Sequence, residues 1–270
     1  MSVQIHDILK NNVKEKLARN EVVASMTVKL VRNIEIARIA RTAGFDTLYV
    51  DVEHNTFSID ATSQICMAAL EVGITPFVRV PTTRPEHVGR VLDGGALGVI
   101  APHIRSADDA RRVVTAAKFP PLGERSAAGG LPHLHYRSFP ASEANPALND
   151  ATMIIVMMET LAALEKVEEI AAVEGIDMMM IGTNDLTAEM GIPGQYDDPR
   201  VRDAYTRTIA ACRKHGKHVG VGGLSTRPDL VAEFVRLGAR YVSTGTDLAF
   251  LLAACTQRAN QVRDIKLSRS

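Results

Sequence analysis

Four short segments of the chain place charged side chains directly behind apolar runs. TLYVDVEH carries Asp51, Glu53 and His54, FVRV carries Arg79, IIVMMET ends near Glu159, and MMMIGTNDL carries Asp185. Two carboxylates such as Glu159 and Asp185, delivered by neighbouring runs, suit one hard divalent cation whose open positions are filled by water and substrate. An imidazole titrates near neutrality, so His54 suits proton transfer, and Arg79 suits an oxygen on which negative charge develops. Each residue alone has a plain structural explanation: a carboxylate caps the next helix, a histidine packs at a rim, an arginine pairs with a neighbouring acid. A histidine, an arginine and two carboxylates gathered at one rim favour a site. No lysine follows the fifth or sixth apolar run, where a Schiff base would want one; Lys29 behind the first run is the only inward candidate, so a metal route is favoured over a covalent amine.

These residues need a frame that brings run ends together. Eight apolar runs of strand length (22–30, 47–53, 75–80, 97–104, 152–159, 177–182, 218–223 and 240–245) alternate with longer stretches whose apolar positions recur every three or four residues. Such alternation implies βα units and a parallel sheet, and eight units in a chain of this length match a (β/α)8 TIM barrel, whose sites sit at the C-terminal ends of the strands. A weak repeat supports this. TAGFDTLYVD, DGGALGVIAP, VEGIDMMMIG and RLGARYVSTG each read as a helix end, a glycine (Gly44, Gly95, Gly175, Gly238), a short spacer and a strand, falling before strands two, four, six and eight. No GxGxxG follows the first strand, so a dinucleotide fold has no positive support. The expectation is one barrel domain over 1–270, with an N-terminal helix within 1–20 and a long Pro-, Gly- and His-bearing loop over 119–150 that helps shape the site, the plainer alternative being a surface excursion with a short helix of its own.

Composition narrows the class. The 270 residues include 31 Lys+Arg and 31 Asp+Glu, a net charge of zero, with 46% hydrophobic residues. This excludes a disordered chain and argues against a dedicated nucleic-acid binder, which needs surplus positive charge. Cys66, Cys212 and Cys255 form no CxxC pair, which suits a reducing compartment, and no run has the length of a signal peptide or membrane span. A cytoplasmic protein acting on small molecules is expected.

TAGFDTLYVDVEH, FVRVP, LDGGALGVIAPHIRSADDARRVV, FPPLGER, MMET, EGIDMMMIGTNDLTAEMGIPGQ and LGARYVSTGTD resemble, in order and spacing, the HpcH/HpaI aldolase family of class II pyruvate aldolases, over nearly the whole chain from about residue 20. The resemblance implies a (β/α)8 barrel with C-terminal helices exchanged between subunits of a hexamer, a trimer of dimers. It implies a divalent metal (Mg²⁺, Mn²⁺ or Co²⁺) held by Glu159 and Asp185, a general base at His54 whose tautomer is fixed by Asp93, and Arg79 stabilising an enolate. Backbone amides around Gly182, Thr183, Asn184 and Asp185 would hold a pyruvate carboxylate. The chain departs from the family pattern at Met157, where a substrate-contacting Gln is usual, at Asn184, at Ser126, and in a first strand without Trp. The implied reaction is reversible cleavage of a 4-hydroxy-2-oxo acid into pyruvate (or hydroxypyruvate) and an aldehyde. Alternatives are an oxaloacetate decarboxylase or CoA-thioester lyase using the same enolate, or a barrel that only binds. On this reading Asp51, Glu53, Asp93, Glu159 and Asp185 face Arg79 alone, with Arg125 as a further basic group nearby, so a cation must enter before an anionic keto acid.

Overall fold

The computed structural model describes residues 3–265. Two short helices, α1 (Ile5–Ile8) and α2 (Asn12–Ala18), lead into β1 (Val23–Val28), α3 (Glu35–Thr42), β2 (Thr47–Asp51), α4 (Ile59–Glu71), β3 (Thr75–Arg79), α5 (Pro85–Asp93), β4 (Gly98–Ala101) and α6 (Ala107–Ala117). A 3-10 turn (Pro132–Leu134) and α7 (Ala141–Ala151) precede β5 (Met153–Met158), α8 (Leu161–Glu165), α9 (Val167–Ala171), β6 (Met178–Gly182) and α10 (Thr183–Glu189). The chain ends in α11 (Pro199–Lys214), β7 (His218–Gly222), α12 (Pro228–Leu237), β8 (Tyr241–Thr246) and α13 (Asp247–Arg263). The eight strands pair in parallel in sequence order and close on themselves, β1 against β8, so the fold is a (β/α)8 barrel.

Strand alternation sorts the core into two layers. In β5, Met153, Ile155 and Met157 point into the barrel while Ile154, Val156 and Met158 face the helices; in β6, Met178 and Met180 point inward and Met179 and Ile181 outward. Both faces are buried, which is why these strands read as unbroken apolar runs. The neighbouring strand β7 turns glycines inward. A Cβ on Gly220 would lie 3.1 Å from Met180 Cγ, and one on Gly222 would lie 2.8 Å from Met180 Cε. The missing side chains make the room that the methionines occupy. Gly44, Gly95, Gly175 and Gly238 all take positive φ between helix end and strand, as the repeat predicts.

The N-terminal mouth of the barrel is shut. Val13 and Leu17 of α2 pack with Val23, Tyr49 and Phe77 of the interior. The expected single N-terminal helix is instead two: the first ends where Leu9 turns to extended backbone, and Asn11 caps the second, its side chain accepting from the Lys14 N–H at 3.0 Å. The 119–150 segment also differs from expectation. It carries the 3-10 turn and the eleven-residue α7, and its Phe119, Leu131, Leu134, Ala144 and Leu148 pack with Ile5, Ile8 and Leu9 at the N-terminal face. Within one chain it does not reach the strand ends that form the site. His133 is buried with Nε2 against Ala96 O at 2.9 Å, and Tyr136 donates to Met67 Sδ, while His135 and Arg137 are exposed.

Candidate active site

At the open, C-terminal mouth lies a cavity of about 330 Å³, bordered by Lys29, Asp51, His54, Arg79, Met157 and Asp185 among others. Register builds its floor: Asp51 and Arg79 are partners at the ends of β2 and β3, both pointing inward. Arg79 donates from Nε to Asp51 Oδ1 at 3.0 Å and from Nη2 to Oδ2 at 2.8 Å, while its Nη1 is 3.0 Å from Glu53 Oε2. Its guanidinium also lies 5.5 Å from the centre of the Tyr49 ring. Burial opposes this charge, but Tyr49, Asp51 and Glu53 outweigh it and hold the arginine above its ordinary value. Asp51 is fully buried and shows the reverse: burial pushes it up, yet bonds from Arg79, the His54 N–H and the nearby Lys29 bring it below the usual carboxylate range. Lys29 Nζ sits 3.2 Å from Asp51 Oδ2. That lysine is therefore an ion-pair partner, and Asp247, buried at the start of α13, fixes its loop by accepting the N–H groups of Lys29, Leu30 and Val31.

Glu159 follows β5 and Asp185 sits in the first turn of α10. Neither side chain caps a helix: Thr160 caps α8, and Gly182 occupies the cap position of α10. Glu159 is buried, and burial, Asp185 and Glu53 raise its pKa against the lowering effect of His103. A buried carboxylate crowded by two others binds a hard cation readily, because the cation removes both the desolvation and the repulsion. Oxygen donors and an open cavity fit Mg²⁺, Mn²⁺ or Co²⁺ in a site completed by substrate or water. Among the described residues no group of three or more His, Cys, Asp and Glu side chains is placed to hold an ion.

His54 lies at the mouth with its side chain half exposed, 3.7 Å from Glu53 Oε2. Gly182 and Asn184 border the cavity, and Met157 sits beneath them with Sδ 3.9 Å from Arg79 Nη1, a weak contact where a Gln amide would bond strongly. Asn184 accepts from Tyr196 OH at 2.6 Å. The Thr183 hydroxyl is turned away, bonded to Tyr205 OH at 2.8 Å and Gly222 O at 2.6 Å, leaving only its backbone for a ligand.

Asp93 is not at this mouth. It ends α5, before β4, and therefore lies at the closed end, where Arg125 Nη2 holds it at 2.7 Å. Within one chain neither Asp93 nor Arg125 contacts His54, and both leave the charge count of the rim. There, Asp51, Glu53, Glu159 and Asp185 meet Arg79 and Lys29, an excess of two negative charges instead of four. A residue not singled out in the sequence takes a place among them: His103, two residues beyond β4, lies between Glu53 and Glu159. Its signal was positional, a histidine just past a strand end in VIAPHI.

Comparison with known proteins agrees with this geometry. The HpcH/HpaI aldolase/citrate lyase model matches residues 28–254. The chain is 38% identical to a 4-hydroxy-4-methyl-2-oxoglutarate aldolase of Hapsidospora irregularis, over 96% of this chain and 97% of that protein. It is 31% identical to a 2-keto-3-deoxy-L-rhamnonate aldolase of Escherichia coli O17:K52:H18, over 93% and 92%. A crystal structure of an HpcH/HpaI aldolase from Desulfitobacterium hafniense superposes with a TM-score of 0.89 at 29% identity, covering 95% of this chain and 98% of that one. The chain is a carbon–carbon lyase and belongs to the HpcH/HpaI aldolase/citrate lyase family.

Proposed function

We propose that this lyase is a class II aldolase that uses Mg²⁺, Mn²⁺ or Co²⁺ to cleave a 4-hydroxy-2-oxo acid reversibly into pyruvate, or hydroxypyruvate, and a carbonyl fragment such as an aldehyde. The observation that carries the reading is the Glu159 and Asp185 pair beside the buried Arg79 at one mouth of the barrel. The names of two relatives support the substrate class, since both describe 2-oxo acids, one with a hydroxyl at C4 and the other a deoxy sugar acid.

Cleavage leaves an enolate, and its negative charge sets the barrier. The divalent ion, when bound by Glu159 and Asp185, supplies Lewis-acid stabilisation of that charge. Arg79 is held by Asp51 and Glu53 in a fixed orientation, so its remaining donor capacity at Nη1, beside Met157, is aimed into the cavity without reorganisation during reaction. The backbone at the start of α10 offers N–H groups to the substrate carboxylate. His54 stands at the mouth, where it takes the C4 hydroxyl proton in cleavage and returns it in synthesis, directly or through water.

A homo-oligomer, as a trimer of dimers, is part of this reading. Its support is α13, which buries only Asp247 in its own chain and exposes Leu248, Leu251, Leu252 and Val262. A run of apolar residues exposed along one helix is best covered by another copy. Sedimentation at micromolar concentration tests it; a monomer refutes it. No helix among the described residues is long and apolar enough to cross a membrane, and a cytoplasmic location fits the absence of any cysteine pairing.

The chemical test is exchange of the pyruvate methyl protons into deuterated water with each metal. Exchange that needs the metal and vanishes on chelation is expected. No exchange with any of the three, or exchange that survives chelation, overturns the proposal, and carbon dioxide release from oxaloacetate that outruns aldol cleavage replaces it with a decarboxylase.

A further inference from the structure

The loop leaving β4 turns back on the site at His103, whose φ of 57° is left-handed. That conformation is uncommon outside Gly, Asn, Asp and His, and here it turns both the backbone N–H and the ring toward the site. What they hold is one oxygen. The backbone N–H of His103 donates to Glu159 Oε1 at 2.6 Å, and the ring Nδ1 lies 3.0 Å from the same atom. The other ring nitrogen, Nε2, lies 2.8 Å from Glu53 Oε1, and Glu53 in turn holds Arg79. Glu159 Oε2 is treated differently. No hydrogen bond reaches it from the described residues, and it lies against Gly182, where a Cβ would stand 3.1 Å from it.

We propose that His103 is the positioning residue of the metal site, occupying Glu159 Oε1 from two sides so that the carboxylate presents Oε2 alone, as a one-oxygen ligand. This rests on the reading of Glu159 and Asp185 as the metal pair. A glutamate has three rotatable side-chain bonds and, crowded by Asp185 and Glu53, would otherwise swing away from them or close on the ion with both oxygens. The N–H bond to Oε1 and the ring nitrogen 3.0 Å from it remove those choices before the ion arrives. The ring's own side chain is 66% exposed, so it contributes little packing, and its effect belongs in ion affinity, with little in stability. Partners that orient a metal ligand typically change affinity 10- to 100-fold.

The test measures Mn²⁺ binding calorimetrically, without substrate, in the full chain. His103→Gly suits the backbone and keeps the N–H while removing the ring. His103→Asn also accepts φ near 57° and places an amide nitrogen where Nδ1 stands. The Kd for Mn²⁺ is expected to rise about 10- to 100-fold in His103→Gly and to return to within about threefold of the native value in His103→Asn, with the melting temperature of the metal-free protein unchanged in both. An unchanged Kd in His103→Gly overturns the assignment, as does a His103→Asn variant as weak as the glycine one. Glu159→Gln separates the two levels. If native protein binds Mn²⁺, Glu159→Gln does not and His103→Gly binds normally, the His103 role fails and the metal site stands; if native protein binds no divalent cation, both fall.

Discussion

The two ends of the barrel both bury charge, and they settle it in opposite ways. At the closed end every buried cation spends itself on the fold. Lys118 donates to the backbone oxygens of Asn149 and Thr152, where α7 stops, and Arg125 pairs with Asp93 and lies 4.6 Å over the Phe119 ring. At the open end Lys29, Asp51, Arg79, Glu53, His103 and Glu159 link in one chain of charge contacts around half the rim, and the chain ends on Glu159, whose Oε2 takes no hydrogen bond from the described residues. Even so, the closed end leaves Arg125 Nε and His133 Nδ1 buried without a partner, so the difference lies in where the charges lead, into packed helices at one end and to an open cavity at the other.

Substitutions can break this contrast. Glu159→Gln is expected to have the largest effect, a loss of more than about 10³-fold in aldol cleavage with metal binding abolished. Its melting temperature should hold or rise, because burial disfavours the native carboxylate. Arg79→Lys follows, with kcat falling about 100-fold or more, since an ammonium cannot reach Asp51 and Glu53 while donating to substrate; steady-state kinetics against pyruvate exchange measure it. At the closed end the sign of the outcome reverses. Lys118→Met should leave metal affinity intact while lowering stability in urea by about 3 kcal/mol, because two buried carbonyls lose their donor.

The closed end should also respond to acid. Burial, only partly offset by the bond to Ala96 O, lowers the His133 pKa to about 4, against 6.5 when exposed. The unfolded chain therefore binds a proton that the folded one refuses between those values. Its neutral form contributes stability that is full above pH 6.5 and is lost as pH falls to about 4, a total near 3 kcal/mol. Urea titrations at pH 7 and 4.5 should show a loss that His133→Gln largely removes. The smallest effect is expected from Gly182→Ala, which crowds Glu159 Oε2 and Met157 Cε at 3.1 and 3.0 Å and should weaken Mn²⁺ binding about tenfold or less without loss of fold.

The strands were legible because burial on both faces writes unbroken apolar runs, and the helix-to-strand glycines because positive φ selects them. Arg79, Glu159 and Asp185 were legible as charges at run ends. Three features were not. The length of α7 was hidden by its internal Pro146, which removes one backbone donor and breaks the local pattern. Asp93 was placed by likeness to a motif, which marks a position along the chain but not the end of the barrel on which it falls. His103 acts through a left-handed backbone that its residue type does not announce.

The methionines lining the interior carry one more consequence. Met157 and Met180 border the cavity, and the bare backbone of Gly222 makes the room that the Met180 methyl group fills. Unbranched thioethers change rotamer at little cost, so this floor yields where rings or branched chains would resist. Breadth of selection among bound acids is then governed by side-chain entropy below the ligand, and oxidation of either sulfur to a sulfoxide would stiffen and polarise that floor at once.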